Sequence, residues 1–412
     1  MASAVSGSPT VSATVPADGP RQTTLDVSVN GSGFDQGATA TFPLNGVVDP
    51  RVRVNSTRYV SASKLVANVT IAADAPLAKF DVAVVNRSGK KGIGTELFTV
   101  TLQAEVLAGG DFAYSVNASG VAAGRNTATS SCASSLVPIL WKSDGTRVVL
   151  PTGTHCAGTA WKINASGAIA GQLFAPPGTA LWLPQPDGSY VLQDLGPTPE
   201  GTLARNTGAF NDAGDILGWY NNAQIYWRTS AVPWTHMIAP AGATDCAFSR
   251  GINNLGAIAG RCTVAGVMNG YYWQDHSATP VMLPRPAGTT NPVFPDEMND
   301  AGVIIGYISG SPNRALKWTP SGSTYTVQYL PDAGGGSQAY AIASDGTISG
   351  SLSSGLVTRA VIWPTTGGYQ LLGYSGTATT GEAWEVVVGA NGKIILSGNQ
   401  GNSQALRWRY PF

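Results

Sequence analysis

The stretch INASGAIAG at 163–171 returns as INNLGAIAG at 252–260. Close variants stand at 116–124 (VNASGVAAG), 210–218 (FNDAGDILG), 298–306 (MNDAGVIIG) and 342–350 (IASDGTISG). A seventh, VGANGKIIL at 388–396, keeps the first glycine but has Leu396 where the others have the second. The first glycines are Gly120, Gly167, Gly214, Gly256, Gly302, Gly346 and Gly392, separated by 42 to 47 residues. A second marker runs in phase: Trp141, Trp182, Trp227, Trp273, Trp318, Trp363 and Trp408 each follow their glycine by 13 to 21 residues. A repeat of this length made only of short apolar runs and turns fits one four-stranded propeller blade. In each unit the first strand ends at the Asn-x-x-Gly turn, where Asn, Asp and Gly tolerate positive φ. The second strand runs to the second glycine, the third carries the Trp, and the fourth an apolar motif such as VLQDLG at 191–196. The indoles are expected to pack between neighbouring blades.

The last repeat stops at ALRWRYPF, directly after its third strand, while a spare strand, AEVLAGG at 104–110, precedes the first repeat. Pairing the two closes the ring and leaves no open sheet edge. The expected fold is therefore all-β: a seven-bladed β-propeller over 104–412, closed by strand 104–110, after an N-terminal domain over 1–103.

The composition agrees. Glycine (51) and proline (26) are abundant, and no helical stripe of useful length appears. Apolar residues at 43% and 11 tryptophans can fill a core, which argues against disorder. The 24 basic residues balance 24 acidic ones, giving no electrostatic case for nucleic acid or an anionic membrane. No run of 18 apolar residues exists to span a bilayer. No signal peptide is visible in MASAVSGSPT; a trimmed leader is the expectation.

The repeats resemble the bacterial extracellular-repeat type called HAF, whose units read roughly A-x-x-I-N-x-x-G-x-I-x-G, then A-x-x-W, then L-x-x-L. The resemblance covers about 104–412 and implies a propeller at the cell exterior, with no reaction attached. Residues 8–103 carry no such repeat. VSVNGSGFDQGATATF at 27–42, with its apolar strand leading into G-x-G-F, resembles the TIG/IPT immunoglobulin-like family, as do LVANVTI, FDVAVVNRSG and a closing F-T-V. That resemblance implies a seven-strand sandwich used as a spacer or docking piece.

Four cysteines occur. Cys132 and Cys156 fall in neighbouring loops of one face, and Cys246 and Cys262 lie opposite each other when counted outward from the turn near 254. The expected pairs are Cys132–Cys156 and Cys246–Cys262, which imply an oxidising compartment; with the HAF resemblance, the expected location is secreted, periplasmic or at the bacterial cell surface. No C-x-x-C or histidine pair suggests a metal, and no cofactor motif appears. His155, His236 and His276 belong to three different repeats and read as surface-loop residues. The D-A-G turns at 212 and 300 lack the alternating acidic ligands of a calcium loop and read as plain turns.

The informative position lies where seven first strands converge, six to eight residues before each glycine. It holds Tyr114, Trp161, Gly208, Arg250, Asp296, Tyr340 and Val386. Tyr114, Trp161, Arg250, Asp296 and Tyr340 of this set, with Phe112, Lys162, Arg205, Asn206, Glu297, Trp384 and Glu385, form the expected lining of the channel mouth. Diversity at one ring position suits recognition of something asymmetric. Aromatic rings offer stacking area, and charged groups offer directional hydrogen bonds, to a glycan or an extracellular protein. No catalytic residue is expected. The competing classes are a carbohydrate-active enzyme and a structural unit of the cell envelope. A hydrolase would draw its carboxylate pair from Asp296, Glu297, Glu382 and Glu385, and a lyase would use a Tyr or His base with Arg250 neutralising a uronate.

Overall fold

The computed structural model describes residues 8–127, 135–206, 208–220, 223–374, 378–401 and 403–410, and among them there is no α-helix. The chain divides into two compact units, Met1–Ala104 with Gln370–Ser375, and Glu105–Tyr369 with Gly376–Phe412.

In the first unit, strands Thr10–Val15, Thr23–Ser32, Lys64–Ile71 and Val52–Ser61 form one sheet. Asp18–Pro20, Lys91–Thr101, Lys79–Val85 and Thr39–Thr41 form a second. Apolar residues alternate along these strands, so each sheet presents one greasy face. Val27, Val29, Leu65, Ala67 and Val69 of the first sheet share a single core with Phe80, Val82, Val84 and Phe98 of the second. Phe42 meets Phe98 edge to face at 5.0 Å.

Among the described residues the second unit contains seven small antiparallel sheets in chain order. Their first strands are Phe112–Val116, Ala157–Ile163, Ala243–Ala247, Val293–Met298, Gly336–Ile342 and Gly381–Val388, and in the third sheet Arg205 and Phe210 make isolated bridges to Trp219 and Ile216 in that place. Each sheet packs on the next, and the first strand of the first sheet packs on the seventh. The seventh sheet takes its outer strand from Ala104–Val106, which lies beside Gln404–Tyr410. Leu107 donates its backbone N–H to Ala405, and Ala405 donates to Gly110, each at 2.9 Å.

The repeated asparagine has two jobs. Its Oδ1 caps its own turn: Asn253 accepts from the backbone of Leu255 and Ala257. Its Nδ2 reaches the next sheet, from Asn117 to the Asn164 carbonyl, Asn164 to Asn211, Asn211 to Asn253, Asn253 to Asn299, and Asn299 to Ala343. A buried side chain that satisfies both functions stabilises the turn and the joint between sheets together. The residues after it add a second course. Asp212 accepts from Ala165, Asn254 from Asp212, and Asp300 from Asn254. The two D-A-G turns are therefore inter-sheet fasteners.

In five repeats the second glycine answers to a bulge. The first strands slip register at Ala113/Ser115, Ala160/Lys162, Pro295/Glu297, Ala339/Ala341 and Ala383/Glu385, so one extra residue is extruded from each. Opposite stand Gly124, Gly171, Gly306, Gly350 and Gly398, where a Cβ would run onto the first-strand carbonyl. Only glycine fits that approach. The second glycine of the last repeat is thus Gly398, two residues past Leu396, because both strands of that hairpin are longer.

Six of the seven repeat tryptophans behave alike. Five are paired with the residue two beyond their first glycine, as Trp182 is with Ile169, and Trp408 is shifted by an even two residues and keeps the same face. All six are buried, each indole removing about 4 to 6 kcal/mol worth of apolar surface from water. Trp227 departs from the expected packing. It pairs with Leu217, three beyond Gly214, and an odd slip turns it to the opposite face. There it donates to Asp215 and stacks on His276 at 3.9 Å. Arg228 occupies the vacated register position opposite Ile216 and donates to the Leu195 carbonyl, as Trp141, Trp182, Trp273, Trp318 and Trp363 each donate to a carbonyl 31 to 35 residues back.

Candidate functional site

The extruded residues are Tyr114, Trp161, Asp296, Tyr340 and Trp384. In the fourth sheet the equivalent is Arg250, just before the bridge between Ile252 and Ile258. Gly208 stands in the third. The longer last hairpin puts Trp384, not Val386, into this ring. A bulge re-aims the extra side chain away from the alternation of its strand, and here it gathers these residues into one cluster. Tyr114 lies 4.5 Å from Trp161 and 6.0 Å from Trp384, ring centre to ring centre, and Trp384 stacks on Tyr340 at 4.5 Å. Trp161 and Trp384 remain half-exposed.

Arg250 crosses this cluster. Its Nη1 donates to the Tyr340 carbonyl at 3.3 Å and its Nη2 to the Tyr114 carbonyl at 3.5 Å, on the sixth and first sheets. Its guanidinium lies 5.8 Å from the Trp384 ring centre. Gly208 sits between Trp161 and Arg250 at a φ of +109°, a backbone conformation that favours glycine. The middle of this end is thus filled by the chain itself, with Arg250 only 6% exposed. Burial pushes the Tyr114 hydroxyl up to about 12 and raises the Asp296 carboxyl, an effect that Arg250 opposes in both.

The next residue along each first strand forms a second level. Lys162 places its Nζ 2.5 Å from both Glu297 Oε1 and Glu385 Oε2, joining the second, fifth and seventh sheets. Ser115 donates to Glu385 at 3.0 Å, and the Ile342 backbone donates to Glu297 at 2.9 Å. Burial pulls the Lys162 ammonium down, but the two carboxylates together more than offset it. Burial, then repulsion from Glu385, pushes Glu297 up to about 7, against the pull of Lys162. These three line a cavity of about 220 Å³ together with Asn117, Asn164, Asn211, Asn253 and Asn299, so they face the turn end of the unit.

The sequence-derived set therefore separates. Tyr114, Trp161, Arg250, Asp296, Tyr340 and Trp384 share the bulge level, with Phe112 stacked on Tyr114 at 5.5 Å. Lys162, Glu297 and Glu385 form the ionic level beneath. Arg205 is exposed and joins neither, and Asn206 is buried holding its own loop through Ala209 and Leu217. Sequence reasoning missed Gln338, which accepts from the Tyr340 hydroxyl at 2.9 Å, and Arg125, whose guanidinium lies 4.9 Å from the Phe112 ring centre. Both sit on strands flanking a bulge, a signal available only once the second glycine is read as the bulge marker. Glu382, weighed from sequence as an acid, accepts from the same hydroxyl at 2.9 Å.

Cys246 and Cys262 are register partners and disulfide-bonded, as expected. Cys156 is also disulfide-bonded, while Cys132 lies outside the described residues. The histidines are dispersed, but His155 is buried against the Pro176 carbonyl and Asp194 rather than exposed in a loop.

No family model matches the chain, and no curated protein matches it. Among solved structures, YCF48 bound to D1 peptide is similar with a TM-score of 0.46 and 11% identity, over 74% of this chain and 95% of that one. TolB from Acinetobacter baumannii is similar with a TM-score of 0.38 and 14% identity, over 79% and 88%. An auxiliary nutrient binding protein from Bacteroides thetaiotaomicron VPI-5482 is similar with a TM-score of 0.37 and 12% identity, over 98% of each chain. No residue role is carried over from any of them.

Proposed function

We propose that the second unit is a seven-bladed propeller of a secreted or cell-surface binding protein, and that its bulge-lined end recognises a glycan without turning it over. The first unit is, in this reading, an immunoglobulin-like spacer. The observation that carries the reading is the ring of extruded residues. Trp161 and Trp384 keep part of their indole surface exposed, braced from within by Tyr114 and Tyr340 and by Arg250, which is tied to two backbone carbonyls. Stacking area fixed on rigid strands, edged by hydrogen-bonding groups, suits a sugar.

The same geometry disfavours catalysis. Arg250 is buried with two of its donors turned to backbone carbonyls, and Lys162 is held by two carboxylates. Tyr340 would have to ionise while donating to Glu382, and its hydroxyl is already raised well above its ordinary range, chiefly by burial. The disulfide supports an oxidising compartment. A glycan array tests binding, and a reducing-sugar and 232-nm absorbance screen over polysaccharides tests turnover. Binding lost in Trp384→Ala, with no product formed, supports the reading. Capture of a protein and no glycan would replace the ligand class, and robust product formation would replace the function.

A further inference from the structure

Beside the aromatic cluster lies a separate groove of about 580 Å³, walled by the fifth, sixth and seventh sheets. One wall is Gly334–Gly336, where Gly335 admits no side chain because a Cβ would run onto the Ser353 carbonyl. The floor is Tyr340, whose hydroxyl lies 2.9 Å from both Gln338 Oε1 and Glu382 Oε1 and 3.2 Å from the Ser351 hydroxyl. Ser353 and Thr358 add hydroxyls along the side. Glu382 uses Oε1 for Tyr340, and among the described residues no hydrogen bond is made by its Oε2. At the lip, between lining residues Gly355 and Thr358, Leu356 is fully exposed at the turn of a hairpin.

Such a lining has a definite preference. Backbone, hydroxyl, amide and one carboxylate can accept and donate to sugar hydroxyls, and Leu356 can cover the apolar face of a ring. No lysine or arginine lines the groove among the described residues, and its one charge is negative. A second carboxylate placed there would meet Glu382 with no cation to compensate it. Arg250, the cation nearest in the ring, is anchored to the Tyr340 and Tyr114 carbonyls and is not a lining residue.

We propose that the groove bounded by Gly334–Gly336, Tyr340 and Glu382 is a sugar subsite selective for neutral or amino sugars over uronic acids. This rests on the glycan reading of the bulge-lined end. The test is isothermal titration of the full chain with cellohexaose, mannohexaose, laminarihexaose, a chitosan hexamer and hexagalacturonate. A neutral or amino hexamer is expected to bind at least about tenfold more tightly than hexagalacturonate. Glu382→Gln is expected to narrow that gap by weakening the preferred hexamer about tenfold. Leu356→Ser, at an exposed position that cannot disturb folding, is expected to weaken it several-fold. Hexagalacturonate binding as tightly as the best hexamer overturns the selectivity. Neutral binding that is lost in Trp384→Ala yet untouched by Glu382→Gln and Leu356→Ser overturns the groove while leaving the glycan reading intact. Binding by no member of the panel, with proteins alone captured, overturns both.

Discussion

Arg407 and Glu105, 302 residues apart, are joined by two hydrogen bonds, Nε to Oε2 at 3.0 Å and Nη2 to Oε1 at 2.5 Å. Arg407 is fully buried, and its remaining donors go to the carbonyls of Gly120, Lys142 and Ser143, so it ties the last strand both to the borrowed strand and to the first sheet. Glu105→Ala leaves this guanidinium buried without its counter-charge. We expect a loss of about 3 kcal/mol in urea unfolding. Hydrogen exchange should show residues 104–107 and 404–410 losing protection together, whereas independent fraying of the two segments would separate closure from this pair.

The asparagine course can be tested one joint at a time. Asn253→Ala removes the turn cap at Leu255 and Ala257 and the bond to the Asn299 carbonyl. Three hydrogen bonds to a buried group at about 1 kcal/mol each predict a loss of 2 to 3 kcal/mol, roughly. Leu255→Ser, in the same turn but 75% exposed, should change stability little. Equal effects from the two would show that the turn, not the inter-sheet bond, matters.

The ionic level predicts a pH dependence with a fixed sign. Glu297 is raised from 4.5 to about 7 in the folded chain, so between those values the folded state holds more proton than the unfolded one. Its contribution is present below pH ~4.5 and lost as pH rises through about 7. Glu297→Gln should flatten the stability profile across that window, with Lys162 still paired to Glu385. Lys162→Met should cost several kcal/mol at pH 7, about 3 to 5, by leaving two facing carboxylates unpaired, and should recover in part at pH 5. A profile that Glu297→Gln leaves unchanged would place the titrating group elsewhere.

Cys246 and Cys262 close a loop of sequence separation 16. Replacing both with serine should cost about 3 kcal/mol, read by urea unfolding with and without reductant. The double variant should then respond less to reductant than the parent chain.

The repeat and its phase were legible because the constraints are local. Asn-x-x-Gly caps a turn, and six of the seven indoles fill the same slot in their sheets. The borrowed strand was legible because a third strand without a fourth leaves an edge. Trp227 was not, since its spacing from Trp182 and Trp273 matches the others while its register slips by an odd residue, which only pairing reveals. Trp384 was misplaced relative to the ring because two extra residues in each strand of the last hairpin moved the second glycine to Gly398. Residue type picked out the candidates for the site, but depth did not follow from it. Neighbouring Trp161 and Lys162 point to different levels because a bulge lies between them and the regular ladder.

The central claim is tested most directly by titrating the parent chain and Trp384→Ala against the tightest-binding oligosaccharide from a glycan array while assaying for product. The account predicts saturable binding by the parent, a loss of about tenfold or more in Trp384→Ala measured at a temperature where that variant is still folded, and no product. Equal affinity in the two chains, or product formation that follows enzyme concentration, would contradict it.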